Sequence, residues 1–88
     1  MKPDTKKQIQ NRLRRIEGQV RGLQRMVEGG TYCVDIITQT SALKRALSGV
    51  EDKLLESHLS TCVIDQMQGG KGDKATKEIL KVYSLKRV

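Results

Sequence analysis

The sequence predicts an all-α protomer with three helices, the second of them long, that is completed by copies of itself. Three observations carry this. Apolar residues recur at heptad spacing as far as Val27; a glycine pair then interrupts the pattern, and a proline-free stretch follows to about Met67; and the 88 residues include no Phe, no Trp and only two Tyr. A chain of this size buries only about 60 to 65% of the surface it exposes when unfolded. With large apolar side chains so scarce, partner subunits are expected to supply the missing burial.

The first helix should begin at Pro3 and Asp4, residues suited to a first turn. Ile9, Leu13, Ile16, Val20, Leu23 and Val27 follow at alternating spacings of four and three, an unbroken heptad seam. Lys7, Arg14, Arg21 and Arg25 fall together on the side roughly opposite to it, a stripe of four cations without an acid in it. Gly18 and Gly22 sit inside the pattern at about 1 kcal/mol each relative to alanine, which points to close approach by another backbone. "EGGTYC" supplies the break, with Gly29 and Gly30 as C-cap residues and Thr31 as the N-cap of the next helix. From Tyr32 to Met67 the seam continues through Ile36, Thr40, Leu43, Leu47, Val50, Leu54 and His58. This predicts one continuous helix roughly 50 Å long, well beyond the usual 12 or so residues, that leans on other chains. "QGGKGDK" reads as a turn, and "KATKEILKVYSLKRV" as a shorter third helix with Ala75, Ile79 and Val82 or Tyr83 inward. No linker or repeat divides the chain, so residues 1–88 are expected to form one domain.

The net charge of +7 and a pI near 9.7 imply a polyanionic partner. Single-strand and RNA readers stack bases on aromatic platforms, which this chain cannot build. Double-stranded DNA held through its phosphates is the better match. No apolar run approaches the 18 or so residues that span a bilayer, and "MKPDTKKQIQ" has no apolar leader core, so a cytoplasmic protein without a membrane partner is expected. In that reducing compartment Cys33 and Cys62 suit ligand or redox chemistry better than a permanent disulfide.

His58, the single histidine, stands four residues before Cys62, so on a helix both point the same way. An isolated H-x3-C also describes a helix that merely carries a half-buried histidine and a small apolar cysteine. Cys33 changes the balance, because on the helical wheel Cys33, His58 and Cys62 fall within about 40° of one another. Along one helix Cys33 and His58 are about 37 Å apart. Two copies of the helix packed antiparallel about a two-fold axis near Ala46 and Leu47 would bring Cys33 of one chain to His58 and Cys62 of the other, twice. Two thiolates and an imidazole fall one short of the four ligands of structural zinc, and soft thiolates favour Cu(I). Two cysteines would also serve a thiol redox sensor.

The stretch "QNRLRRIEGQVRGLQRMVEGGTYCVDIITQTSALKRAL", followed by "HLSTC", resembles the CsoR/RcnR family of small all-helical DNA-binding repressors over essentially the whole chain. The C…H-x3-C arrangement is similar to its copper-sensing branch. The resemblance implies an antiparallel dimer forming a four-helix bundle, paired into a dimer of dimers. It implies Cu(I) bound by Cys33 of one protomer with His58 and Cys62 of its mate, and supporting roles for Tyr32 and Glu78. Glu78 could accept the imidazole N–H that does not face the metal. The implied function is repression of copper-efflux and copper-homeostasis genes, with operator DNA released when Cu(I) binds. For DNA contact the resemblance carries to Arg12; Arg14, Arg15, Lys44 and Arg45 join it on charge and position. Where some relatives place a basic residue later in the second helix, this chain has Gly49.

Related branches differ by residues. Nickel and cobalt sensors recruit an N-terminal histidine that "MKPDTKK" lacks, formaldehyde sensors lack the second cysteine, and persulfide sensors lack the histidine. A nickel-responsive relative with the same ligands, a thiol or persulfide sensor on the same scaffold, and a helical assembly module without a regulatory ligand remain as alternatives. An enzyme is not expected, since no acid–base pair stands in a credible pocket.

Overall fold

The computed structural model describes residues 1–86. It is all-α, with α1 over Pro3–Glu28, the long α2 over Cys33–Ser60, α3 over Cys62–Gln68 and α4 over Gly72–Lys86. These helices form two compact units, Met1–Leu55 and the residues from Glu56 onward, so the boundary falls within α2. Among the described residues no helix is long and apolar enough to cross a membrane.

The helix ends follow the backbone's need to satisfy its terminal hydrogen-bonding groups. Pro3 opens α1, where its missing N–H costs nothing, and Asp4 and Arg25 lie at the ends where the helix dipole favours their charges. At the other end Gly30 takes the left-handed conformation (φ 69°), which lets Gly30 N–H donate to the Val27 carbonyl and Thr31 N–H to the Met26 carbonyl. Thr31 therefore completes the cap of α1 rather than opening α2 as the sequence predicts. The residue before α2 is Tyr32, whose carbonyl accepts from Asp35 and Ile36. The same cap recurs after α3, with Gly70 at φ 77° and Lys71 N–H donating to the Gln66 carbonyl at 2.7 Å.

The predicted continuous second helix is interrupted at Thr61, whose φ of −127° and ψ of −71° are not helical. One carbonyl accounts for the break. The Ser57 carbonyl accepts from Thr61 N at 3.1 Å, Thr61 Oγ1 at 2.7 Å and Ser60 Oγ at 3.2 Å. Hydroxyls that bond back into the helix compete with its own ladder and bend it. The remainder of the predicted helix becomes α3.

In the first unit Ile9 and Ile16 of α1 pack with Leu43 and Val50 of α2, flanked by Leu23 and Ala46. The four buried residues are spaced by seven on each helix, so only one row of each heptad seam is covered. The alternate row, Leu13, Val20 and Val27 on α1 and Leu47 and Leu54 on α2, remains exposed, with Leu47 at 42%. An open apolar groove lies at the loop end of this hairpin, lined in part by Val20, Val27 and Ile36. Among the described residues nothing lies within 4 Å of a β-carbon built on Gly18, and only the end of Arg25 reaches that distance at Gly22, so no described residue of the chain makes the backbone approach expected there. In the second unit α4 packs on α3. Ala75 is fully buried, and Val82 rather than Tyr83 turns inward, Tyr83 being 65% exposed.

Gly30→Ala should cost about 1 to 2 kcal/mol in urea denaturation, since nothing crowds its β-carbon and the penalty is that of the left-handed backbone alone. Gly30→Asn should cost less, and equal losses for the two would contradict this account. Leu43→Ala should cost about 2 to 5 kcal/mol at matched protein concentration through the transfer and cavity terms.

Candidate metal centre and nucleic-acid interface

Cys33 is the first residue of α2 and is exposed with a free thiol, and Tyr32, 68% exposed, directly precedes it. Both belong to the first unit. His58 lies in the last turn of α2, and Cys62, also exposed and free, is the first residue of α3 beyond the Thr61 break. Thr61 Oγ1, already donating to the Ser57 carbonyl, lies 3.7 Å from Cys62 Sγ. The break thus separates the two candidate ligands that the sequence places on one continuous helix. Among the described residues no three His, Cys, Asp or Glu side chains gather into a metal-sized cluster within one chain.

The second unit does join His58 to α4. His58 Nε2 stands 3.5 Å from Glu78 Oε2, with the two side chains 30% and 38% exposed. The other carboxylate oxygen, Oε1, lies 3.9 Å from Lys74 Nζ, one helical turn earlier. Glu78 therefore sits between an imidazole on α2 and an ammonium on α4. Lys74 was not singled out from the sequence, although its spacing of four from Glu78 is the signal that could have found it. With Nε2 turned to the carboxylate, Nδ1 is the ring nitrogen left for another ligand. Two thiols and one imidazole nitrogen form a soft donor set, which suits a thiophilic, low-coordinate ion and not a hard one such as Mg²⁺.

The candidate DNA-contacting residues Arg12, Arg14, Arg15, Lys44 and Arg45 are all exposed, and all lie in the first unit. The cationic stripe on α1 is less uniform than its spacing suggests, because Glu17 binds Arg21 at 3.1 Å. Arg12 reaches from α1 toward α2. One of its guanidinium nitrogens, Nη1, stands 3.4 Å from where a β-carbon on Gly49 would be. A depression of about 210 Å³ adjoins it, lined by Arg12, Arg15, Ile16, Gln19 and Ala46.

Known proteins resemble this chain in sequence and in fold. The family model for metal-sensitive transcriptional repressors matches residues 5–84. The copper-sensing transcriptional repressor CsoR of Bacillus subtilis is 53% identical over 78 residues, 89% of this chain and 77% of that protein. The copper-sensing transcriptional repressor RicR of Mycobacterium tuberculosis is 53% identical over 62 residues, 69% of this chain and 65% of that protein. Among solved structures, the copper-sensing repressor CsoR of Geobacillus thermodenitrificans with Cu(I) superimposes with a TM-score of 0.91 at 40% identity, covering 100% of this chain and 92% of that one. Matched over residues 5–84 and all-helical with a long second helix, the chain belongs to the family of metal-sensitive transcriptional repressors.

Proposed function

We propose that this chain is a Cu(I)-responsive repressor, cytoplasmic, that holds double-stranded operator DNA when metal-free and releases it when Cu(I) binds, thereby controlling genes of copper efflux and homeostasis. The observation that carries this reading is the His58–Glu78 pair at 3.5 Å. A carboxylate facing Nε2 leaves Nδ1 as the ring nitrogen open to a ligand, as in metal sites generally, where an acceptor stands at the ring nitrogen that does not ligate. The ligands are Cys33 of one protomer with His58 and Cys62 of its partner, supported by Tyr32 beside the first cysteine and Glu78 behind the histidine. Such a set supplies the soft, low-coordinate environment that Cu(I) favours over the harder divalent ions. The copper-sensing relatives support the same choice of ion.

The protomers pair antiparallel into a four-helix bundle, and two dimers form the tetramer. The uncovered heptad row supports this, because Leu13, Val20, Leu47 and Leu54 repeat at the spacing of a second packing face. Arg12, Arg14, Arg15, Lys44 and Arg45 meet the operator. Glu78 faces His58 from α4, so a change at the imidazole is felt by α4. Reciprocity follows: if Cu(I) weakens DNA binding, DNA weakens Cu(I) binding by the same factor, ordinarily about 1 to 3 kcal/mol.

Both cysteines are exposed and free, which supports a second reading, a thiol or persulfide sensor in which Cys33 and Cys62 cross-link between protomers. Non-reducing electrophoresis after sulfane-sulfur treatment shows a covalent dimer in that case, and the copper reading needs none.

Anaerobic titration of the reduced chain with Cu(I) against a chromogenic competitor should give tight uptake of one ion per chain, lost in His58→Ala and Cys33→Ala. His58→Ala should retain DNA binding and lose the release, while Glu78→Gln should retain most Cu(I) uptake and release DNA less completely. Release of DNA by Cu(I) from His58→Ala would refute this ligand assignment, and tight binding of Ni(II) alone would replace copper with nickel. Leu47→Glu should lower the mass seen by sedimentation while the helical signal persists; an unchanged mass would remove the seam from the subunit interface.

A further inference from the structure

We infer that Gly49 is a positioning residue: by carrying no side chain it lets the Arg12 guanidinium lie against α2, where Arg12, Arg15 and Gln19 rim a seat for one phosphate of the DNA backbone. This deepens the DNA-binding reading above and rests on it.

Glycine is disfavoured in the interior of a helix unless the backbone or the space requires it. Gly49 lies well inside α2, and it is not among the residues with positive φ, so its backbone conformation is one that alanine adopts readily. What distinguishes Gly49 from Gly18 is the side chain of another helix beside it. The nearest atom to a β-carbon at position 49 is Arg12 Nη1 at 3.4 Å, an ordinary contact for a methyl group and a place that the branches of a leucine there would compete for. Val50, the next residue, is buried in the core of the hairpin, which anchors this part of α2 against α1.

The depression beside Arg12 has an apolar base of Ile16 and Ala46 and a polar rim of Arg12, Arg15 and Gln19, with no carboxylate lining it. Its volume of about 210 Å³ admits a phosphate group with its ester oxygens. Arg12 and Arg15 are three residues apart and Gln19 four further on, so all three project from one face of α1. Ala46 and Gly49 are likewise three apart on α2, and both are small. Donors from one helix thus stand over small residues of the other. Two guanidinium forks and an amide suit a phosphodiester, which accepts several hydrogen bonds and carries one negative charge. An open space beside α2 lets Arg12 take this position without displacing another side chain.

The test uses the full-length, reduced, metal-free chain and a duplex that it enriches from a randomised pool. Binding is measured over a range of salt for the wild type, Arg12→Ala, Gly49→Leu and the double variant. Arg12→Ala and Gly49→Leu should each weaken binding about tenfold and each flatten the dependence of affinity on salt by about one phosphate contact. The double variant should be no weaker than either single one, because both remove the same contact. Gly49→Ala, whose methyl only touches the guanidinium, should fall between wild type and Gly49→Leu, and it keeps the test open if the leucine variant fails to fold. Wild-type affinity and salt dependence in Gly49→Leu, or fully additive losses in the double variant, would overturn the inference while leaving the repressor reading in place. A wild-type chain that enriches no duplex would overturn both.

Discussion

The structure depends on a heptad seam of which the chain itself covers only half. Ile9 and Ile16 meet Leu43 and Val50 within the α1–α2 hairpin, and the residues midway between them along each helix stay exposed. Fully burying a side chain of this size contributes roughly 1.5 to 3 kcal/mol, so four such residues make a thin core against the entropy of ordering two long helices. The alternate row is where further burial is available. It lies on the same two helices as the core, one carrying Arg12, Arg14 and Arg15 and the other opening at Cys33.

The second organising contact is smaller and lies where α2 ends. Three donors converge on the Ser57 carbonyl, and the helix breaks at Thr61, immediately before Cys62. One residue after Ser57, His58 turns its Nε2 to Glu78, whose other oxygen faces Lys74. The exposed ion pair with Lys74 contributes little to stability. Its consequence is directional: the carboxylate stands between an imidazole on α2 and an ammonium on α4, so the surroundings of His58 Nε2 are supplied by α4.

The positive charge is likewise not spread evenly in its effect. Arg21 is occupied by Glu17 on an exposed helix face, and salt screens such a pair readily. Arg12 instead lies across Gly49 on the neighbouring helix, beside Arg15. A cation without a carboxylate partner meets a phosphate without first giving up an ion pair. Net charge selects the class of partner, and packing decides which of the cations are ready to meet it.

By itself the sequence determined the all-α class, the starts and ends of α1, the long second helix and the chemical identity of the candidate ligands. Each of these rests on local rules: apolar spacing near 3.6 residues, Pro3 at a first turn, glycine pairs at helix ends, and a histidine four residues from a cysteine. Glu78 was also within reach, through the resemblance carried by the motifs. The break at Thr61 was not, because three hydroxyl and amide donors choosing one carbonyl is a competition between helix and side chain that spacing does not register. Nor did periodicity separate Ile9 and Ile16 from Leu13 and Val20, since all four obey the same heptad and only the packing of α2 on α1 distinguishes the covered row from the open one. The same packing placed Arg12 over Gly49. A glycine in a helical pattern reads as a local cost, and its use appears only when another helix brings a side chain into the space it leaves.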